Sequence, residues 1–209
     1  MKASAKAMKL HSIAGVMWGA TFQGSFNAGS VNYAFAYQAE TAAITERKLE
    51  LTGHLAVIDL GPNARGRSRV LRNIRATLVA AQGGIGNAPP RRKLPPEVYT
   101  ARADLPVVES TGALSFCGAL YLKLAPIDGR ALGVSADMKG VQLNARLAPR
   151  DDRERELQSA YSSIVDALYG KEPDDTAASA AVVEINRLLA EMKKHGVQLR
   201  FSSLGKNPG

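Results

Sequence analysis

The feature that most constrains this chain is a change of hydrophobic period near Pro149. Before it, larger apolar residues recur at every second position. The sets are Val31, Tyr33, Phe35 and Tyr37; Leu49, Leu51, Leu55 and Val57; Ile74, Ala76, Leu78 and Ala80; Leu114, Phe116, Leu120 and Leu122; and Val141, Leu143, Ala145 and Leu147. A two-residue period places each set on one face of a β-strand. After Pro149 the period becomes helical, with Leu157, Tyr161, Ile164 and Leu168, then Val182, Ile185, Leu188, Leu189 and Met192.

Boundary signals agree with this division. Asp151 or Asp152 can cap one helix, which Gly170 and Pro173 end. Asp174 or Asp175 can cap a second, with Lys193, Lys194 and His195 in its last turn and Gly196 beyond it. The spacing predicts helices over 151–169 and 175–195. Gly61–Gly66 reads as a turn, making 47–82 a long β-hairpin. Gly83–Pro96 is a Gly/Pro-rich loop, and Asp128-Gly129 marks another turn. The expected fold is α+β: a mainly antiparallel sheet, or a partly closed barrel, followed by two C-terminal helices. Residues 1–20 read as a basic, loosely ordered arm. Residues 21–150 read as the β-rich core, and 151–209 as the helices plus a short closing strand at Val197–Ser203.

The chain has 209 residues, enough for a core that needs neither disulfide nor metal. Its net charge of +8 is uneven: residues 1–110 carry 14 Lys/Arg against 7 Asp/Glu, and 111–209 carry 13 against 12. Such asymmetry points to a polyanionic partner or simply to solubility. Cys117 is the only cysteine, which favours a reducing, cytoplasmic setting. Lys2, Lys6 and Lys9 before Ile13–Trp18 resemble an export signal, but Gly15 and Gly19 interrupt the apolar stretch and no small-residue cleavage site follows.

The sequence contains no catalytic constellation, so the expected protein is not an enzyme and takes no cofactor. His11, His54 and His195 are dispersed and have no metal-binding spacing. Cys117 sits in an apolar strand and is expected to be buried and inert. Asp151-Asp152 and Asp174-Asp175 are explained by helix capping. Gln82–Gly86 is glycine-rich, yet Pro89-Pro90 stands where a phosphate-binding helix would begin.

The concentrated feature is cationic. Arg65, Arg67, Arg69, Arg72 and Arg75 fall within eleven residues with no acid among them, and Arg91, Arg92 and Lys93 follow on the next loop. Planar guanidinium groups bind phosphate and stack on bases, so these eight residues are candidate nucleic-acid contacts. The competing account is a solvated edge that blocks sheet-to-sheet association. Tyr33, Phe35 and Tyr37 are candidate base-stacking residues, although strand spacing favours a place in the core. Trp18 could pack or stack.

Around Ser110–Leu147 the chain carries Gly112-Ala113-Leu114, a strand through Leu122, a turn, and Gly133-Val134-Ser135-Ala136-Asp137-Met138-Lys139-Gly140-Val141-Gln142. This segment resembles phage-type single-stranded DNA-binding proteins, in which a strand, a glycine-rich turn and a segment ending in Val-Gln recur in an OB-like barrel. The resemblance implies sequence-tolerant binding of single strands in a basic groove. Unlike many such proteins, the chain ends Gly205-Lys206-Asn207-Pro208-Gly209 and not in an acidic tail. The leading expectation is therefore a non-catalytic binder of single-stranded nucleic acid. The rivals are a β-barrel that holds a small apolar ligand between Val31–Tyr37 and Leu114–Leu122, and a structural or assembly protein. A homo-oligomer is a further candidate assembly.

Overall fold

The computed structural model describes residues 8–61, 68–82, 118–170 and 172–194. Its strands are β1 (Met8–Lys9), β2 (Ser12–Trp18), β3 (Thr21–Ala28), β4 (Val31–Thr45), β5 (Lys48–Asp59), β6 (Ser68–Gln82), β7 (Ala119–Leu124), β8 (Ala136–Asp137) and β9 (Gln142–Leu147). A short 3-10 helix, Gly129–Leu132, follows β7, and α1 (Asp152–Tyr169) and α2 (Asp175–Lys194) close the chain.

Seven strands close a barrel in the order β2-β3-β4-β5-β6-β7-β9, and β9 pairs with β2 to complete the ring. That last pairing is parallel, whereas the other barrel pairings are antiparallel. The fold is thus a closed, mainly antiparallel barrel followed by two helices. Leu49, Leu51, Leu55, Leu78, Leu122 and Leu143, all on the alternating faces read from sequence, are fully buried.

The segment 8–20 departs from the expected arm. Ser12–Trp18 is a barrel strand in register with Gln142–Leu147, and its Ile13 and Met17 are buried. Gly15, which interrupts the apolar run, is the reason it fits. Gly15 pairs with Gly24 on β3. A Cβ on Gly15 would lie 2.2 Å from the Gln23 carbonyl oxygen, and one on Gly24 would lie 2.5 Å from that of Ala14. Glycine here marks close backbone approach inside a sheet, not a break in it.

Three irregularities shape the long strands. Between Ala39 and Thr41 the β4–β5 register shifts, leaving Glu40 as the extra residue. Between Leu71 and Ile74 the β5–β6 register shifts at Arg72-Asn73, and Asn73 takes a left-handed φ of 56°. Between Leu78 and Ala80 the β6–β7 register shifts at Val79, so Ala80 leaves the main core and packs with Tyr121. The unbroken Ile74–Ala80 phase expected from sequence therefore stops at Leu78.

Both helices stand within one residue of the expected bounds where described. Asp151 caps α1 by accepting from the Glu154 amide at 2.8 Å. Asp174 caps α2 by accepting from the Thr176 and Ala177 amides, each at 2.9 Å. The helices pack on each other, and α2 lies against β4 where that strand runs on past β3. Asp128 caps the 3-10 helix at the expected Asp128-Gly129 turn. The expected loop Gly83–Pro96, the residues Leu114, Phe116 and Cys117, and the expected closing strand Val197–Ser203 lie outside the described residues.

Candidate functional site

Arg69, Arg72 and Arg75 are exposed on β6, but the strand aims them differently. Arg69 pairs across from Val57 and reaches over the 3-10 helix, donating to the Arg130 carbonyl at 3.3 Å. Its guanidinium lies over Gly133, where a Cβ would come within 3.1 Å of it. Arg72 sits at the β6 bulge, a feature that re-aims side chains. Arg75 pairs across from Thr52 with its Nη1 3.7 Å from a Glu50 carboxylate oxygen. No acid is near these arginines in sequence, but β5 brings one beside Arg75.

Arg65, Arg67, Arg91, Arg92 and Lys93 lie outside the described residues. Their two connections join β6 at its opposite ends, Ser68 and Gln82. At strand rise those ends are up to about 45 Å apart, so the connections do not leave the barrel as neighbours. The charge divides sharply between the two parts of the chain. Sixteen Lys/Arg and sixteen Asp/Glu fall within the described residues, while the remainder carries eleven and three. Of that excess of eight, 62–67 and 83–117 hold three, and 1–7, Lys171 and 195–209 hold the other five.

Tyr33, Phe35 and Tyr37 face the core and are 3%, 1% and 0% exposed, so they do not form a surface stacking platform. Phe26 stacks on Tyr33 at 5.3 Å, and Phe22 meets Phe35 at 5.2 Å between ring centroids. The Tyr37 hydroxyl lies 3.0 Å from the Leu51 carbonyl and 3.1 Å from that of Ile74. Burial holds this phenol neutral, far above its ordinary pKa. In a chain with few aromatics, these rings are needed to fill the barrel.

Two cavities lie at the seam between barrel and helices. The smaller, about 10 Å³, is lined by Met17, Leu147, Leu157, Gln158 and Tyr161 among others. The Gln158 amide nitrogen and the Tyr161 hydroxyl are buried there without a protein partner among the described residues. The larger, about 150 Å³, lies between the β2–β3 turn at Trp18–Ala20, the β4 segment Gln38–Glu40, the start of α1 and the last turns of α2. The Arg150 guanidinium stands 5.3 Å from the Trp18 ring centroid. Glu154 fixes it there through Nη2–Oε1 at 2.7 Å and also accepts from the Arg150 amide at 2.7 Å.

Beside this cleft the Glu40 bulge turns its carboxylate outward to Lys193 on α2 at 2.8 Å and to His54 Nε2 at 3.2 Å. The Lys193 hydrogen bond chiefly holds the Glu40 carboxyl below its usual range, with His54, Lys193 and Arg72 adding charge attraction and partial burial opposing. Neither the Trp18 cleft nor this ion cluster was visible as a site in the sequence. Each is assembled from segments more than a hundred residues apart, and a bulge gives no local signal. Among the described residues no three His, Cys, Asp or Glu side chains gather as metal ligands, and no helix is long and apolar enough to cross a membrane. No protein-family model, curated protein or solved structure matches the chain.

Proposed function

We propose that the protein binds single-stranded nucleic acid without catalysis and with little sequence preference, as the local likeness to phage-type single-stranded DNA-binding proteins implies. The cations are those of the β5–β6 hairpin and the connection after β6: Arg65, Arg67, Arg69, Arg72, Arg75, Arg91, Arg92 and Lys93. The observation that carries the reading is the run of five arginines from Arg65 to Arg75 with no acid among them, of which Arg69, Arg72 and Arg75 are exposed on β6. Cations with few acids to offset them repel one another and gain from a polyanion that releases its counterions on contact. Arg72 and Arg75 extend that basic surface onto the exposed face of β6.

The test is fluorescence anisotropy with a labelled oligothymidylate across a salt series. Binding at low salt that weakens steeply with added salt and varies little with base composition supports the reading. An absence of binding at low salt overturns it.

A further inference from the structure

We propose that the cleft beside Trp18 is a binding site for a small organic anion with a planar aromatic body. The argument starts with its walls. Trp18, Ala20, Ala39, Leu189 and Met192 supply apolar surface, and a cleft of about 150 Å³ matches a single ring. Arg150 presents a flat guanidinium over the Trp18 indole. Glu154, only 8% exposed, holds it in place with several contacts. A guanidinium fixed in this way offers a stacking plane to an aromatic ring.

The lining charges balance, three acids against three cations, but they differ in what they already engage. Three acids line the cleft, and each is already engaged. Glu40 meets Lys193 and His54, Glu154 meets Arg150, and Asp151 caps α1. Of the three cations lining it, Arg150 and Lys193 are neutralised by those same acids. Arg153 is exposed and has no acidic partner among the described residues. It stands in the first turn of α1, where the helix dipole also favours negative charge. A ring seated against Trp18 and Arg150 therefore directs a carboxylate or phosphate toward Arg153. The inference does not rest on nucleic-acid binding, because none of the hairpin arginines lines the cleft.

Trp18 is the single tryptophan of the chain, so its emission reads this site alone. The experiment titrates the full chain with benzoate, benzyl alcohol and benzylamine, and with thymidine 5′-monophosphate as the nucleotide form of an aromatic anion. The expected result is saturable quenching by benzoate, at least tenfold weaker half-saturation for the neutral alcohol and the amine, and a tenfold or greater loss of benzoate affinity in Arg153→Ala. Arg153 is solvent-exposed, so this variant keeps the fold, as circular dichroism will verify. Tighter saturation by the nucleotide than by benzoate keeps the site and assigns it to a nucleotide ligand. Three results overturn the proposal: quenching that rises linearly with every probe, equal response to the acid and the alcohol, or an unchanged Arg153→Ala titration.

Discussion

The side-chain amide of Asn186 pairs with both backbone groups of Ala42: its Oδ1 accepts from the Ala42 N–H, and its Nδ2 donates to the Ala42 carbonyl, each at 2.8 Å. Ala42 lies on the part of β4 that extends past the end of β3, whose last partner on that side is Gln38. An unpaired strand edge is a liability, and here one side chain of α2 completes it as a neighbouring strand would.

This pairing makes Asn186 a fastening point between α2 and the barrel. Asn186→Ala leaves a backbone donor and acceptor at a partly buried edge and is expected to cost about 2 kcal/mol. In a chain of this size that corresponds to roughly 4–8 °C in melting temperature. Asn186→Asp should cost more, because it sets a carboxylate oxygen against the Ala42 carbonyl oxygen, and the two acceptors repel at a partly buried edge. Thermal and urea unfolding of both variants check this, and a change under about 0.5 kcal/mol for Asn186→Ala would show that α2 docks without this contact.

Gly15 and Gly29 separate two reasons for glycine. Gly15→Ala places a methyl 2.2 Å from a backbone oxygen of the adjacent strand, where neither partner can yield cheaply. The barrel closes through β2, so this substitution is expected to abolish cooperative folding. Gly29 has φ of 65° but nothing within 4 Å of its would-be Cβ. Gly29→Ala should cost only the backbone strain of about 1–2 kcal/mol. Denaturation curves of the two variants give the comparison, and similar stabilities would refute the close packing of β2 on β3.

Gly15 also shows where sequence reading succeeds and where it stops. The strands centred on Tyr33, Leu51 and Leu143 and the helices containing Tyr161 and Ile185 were legible because burial imposes a period on neighbours in the chain. Barrel closure was not, because the parallel pairing of Ile13 with Leu143 joins positions 130 residues apart and Gly15 looked like a break. The opposing acid of Arg75 was hidden for a similar reason: Glu50 reaches it only through the hairpin register. The capping acids Asp151 and Asp174 were readable, since a cap and its amides lie within three residues.

The Glu40 cluster gives a pH signature. Its folded carboxyl is depressed below the unfolded value, so the contact stabilises fully above the ordinary carboxylate range. That stability is lost as pH falls through the depressed value. Because the pair is partly solvated, its worth near neutrality is about 1 kcal/mol or less. Glu40→Gln should therefore be less stable than the parent near pH 7 and converge with it as the medium becomes strongly acidic. Urea midpoints measured for both proteins over that span check the sign. A difference that grows on acidification would contradict the placement of Lys193 on Glu40.

The nucleic-acid reading yields a graded prediction, because the arginines differ in what they already touch. If half of the eight candidate cations meet phosphates, the slope of log affinity against log salt should be on the order of −3, since each neutralised phosphate of a single strand releases about 0.7 counterion. Arg75 is partly offset by Glu50, and Arg69 is engaged over Gly133 and the Arg130 carbonyl. Arg72 makes no hydrogen-bonded ion pair among the described residues and acts on the Glu40 carboxylate only as a nearby charge, and no acid lies between Arg65 and Arg75 in sequence. Replacing Arg65, Arg67 and Arg72 together with Ala should flatten the slope by roughly two units and weaken all base compositions alike. Arg75→Ala alone should change it by less than about 0.7. Anisotropy titrations of parent, triple variant and Arg75→Ala against oligothymidylate and a mixed-sequence strand give the slopes. A triple variant that binds as tightly and as salt-sensitively as the parent would reduce the basic hairpin to a solvated sheet edge.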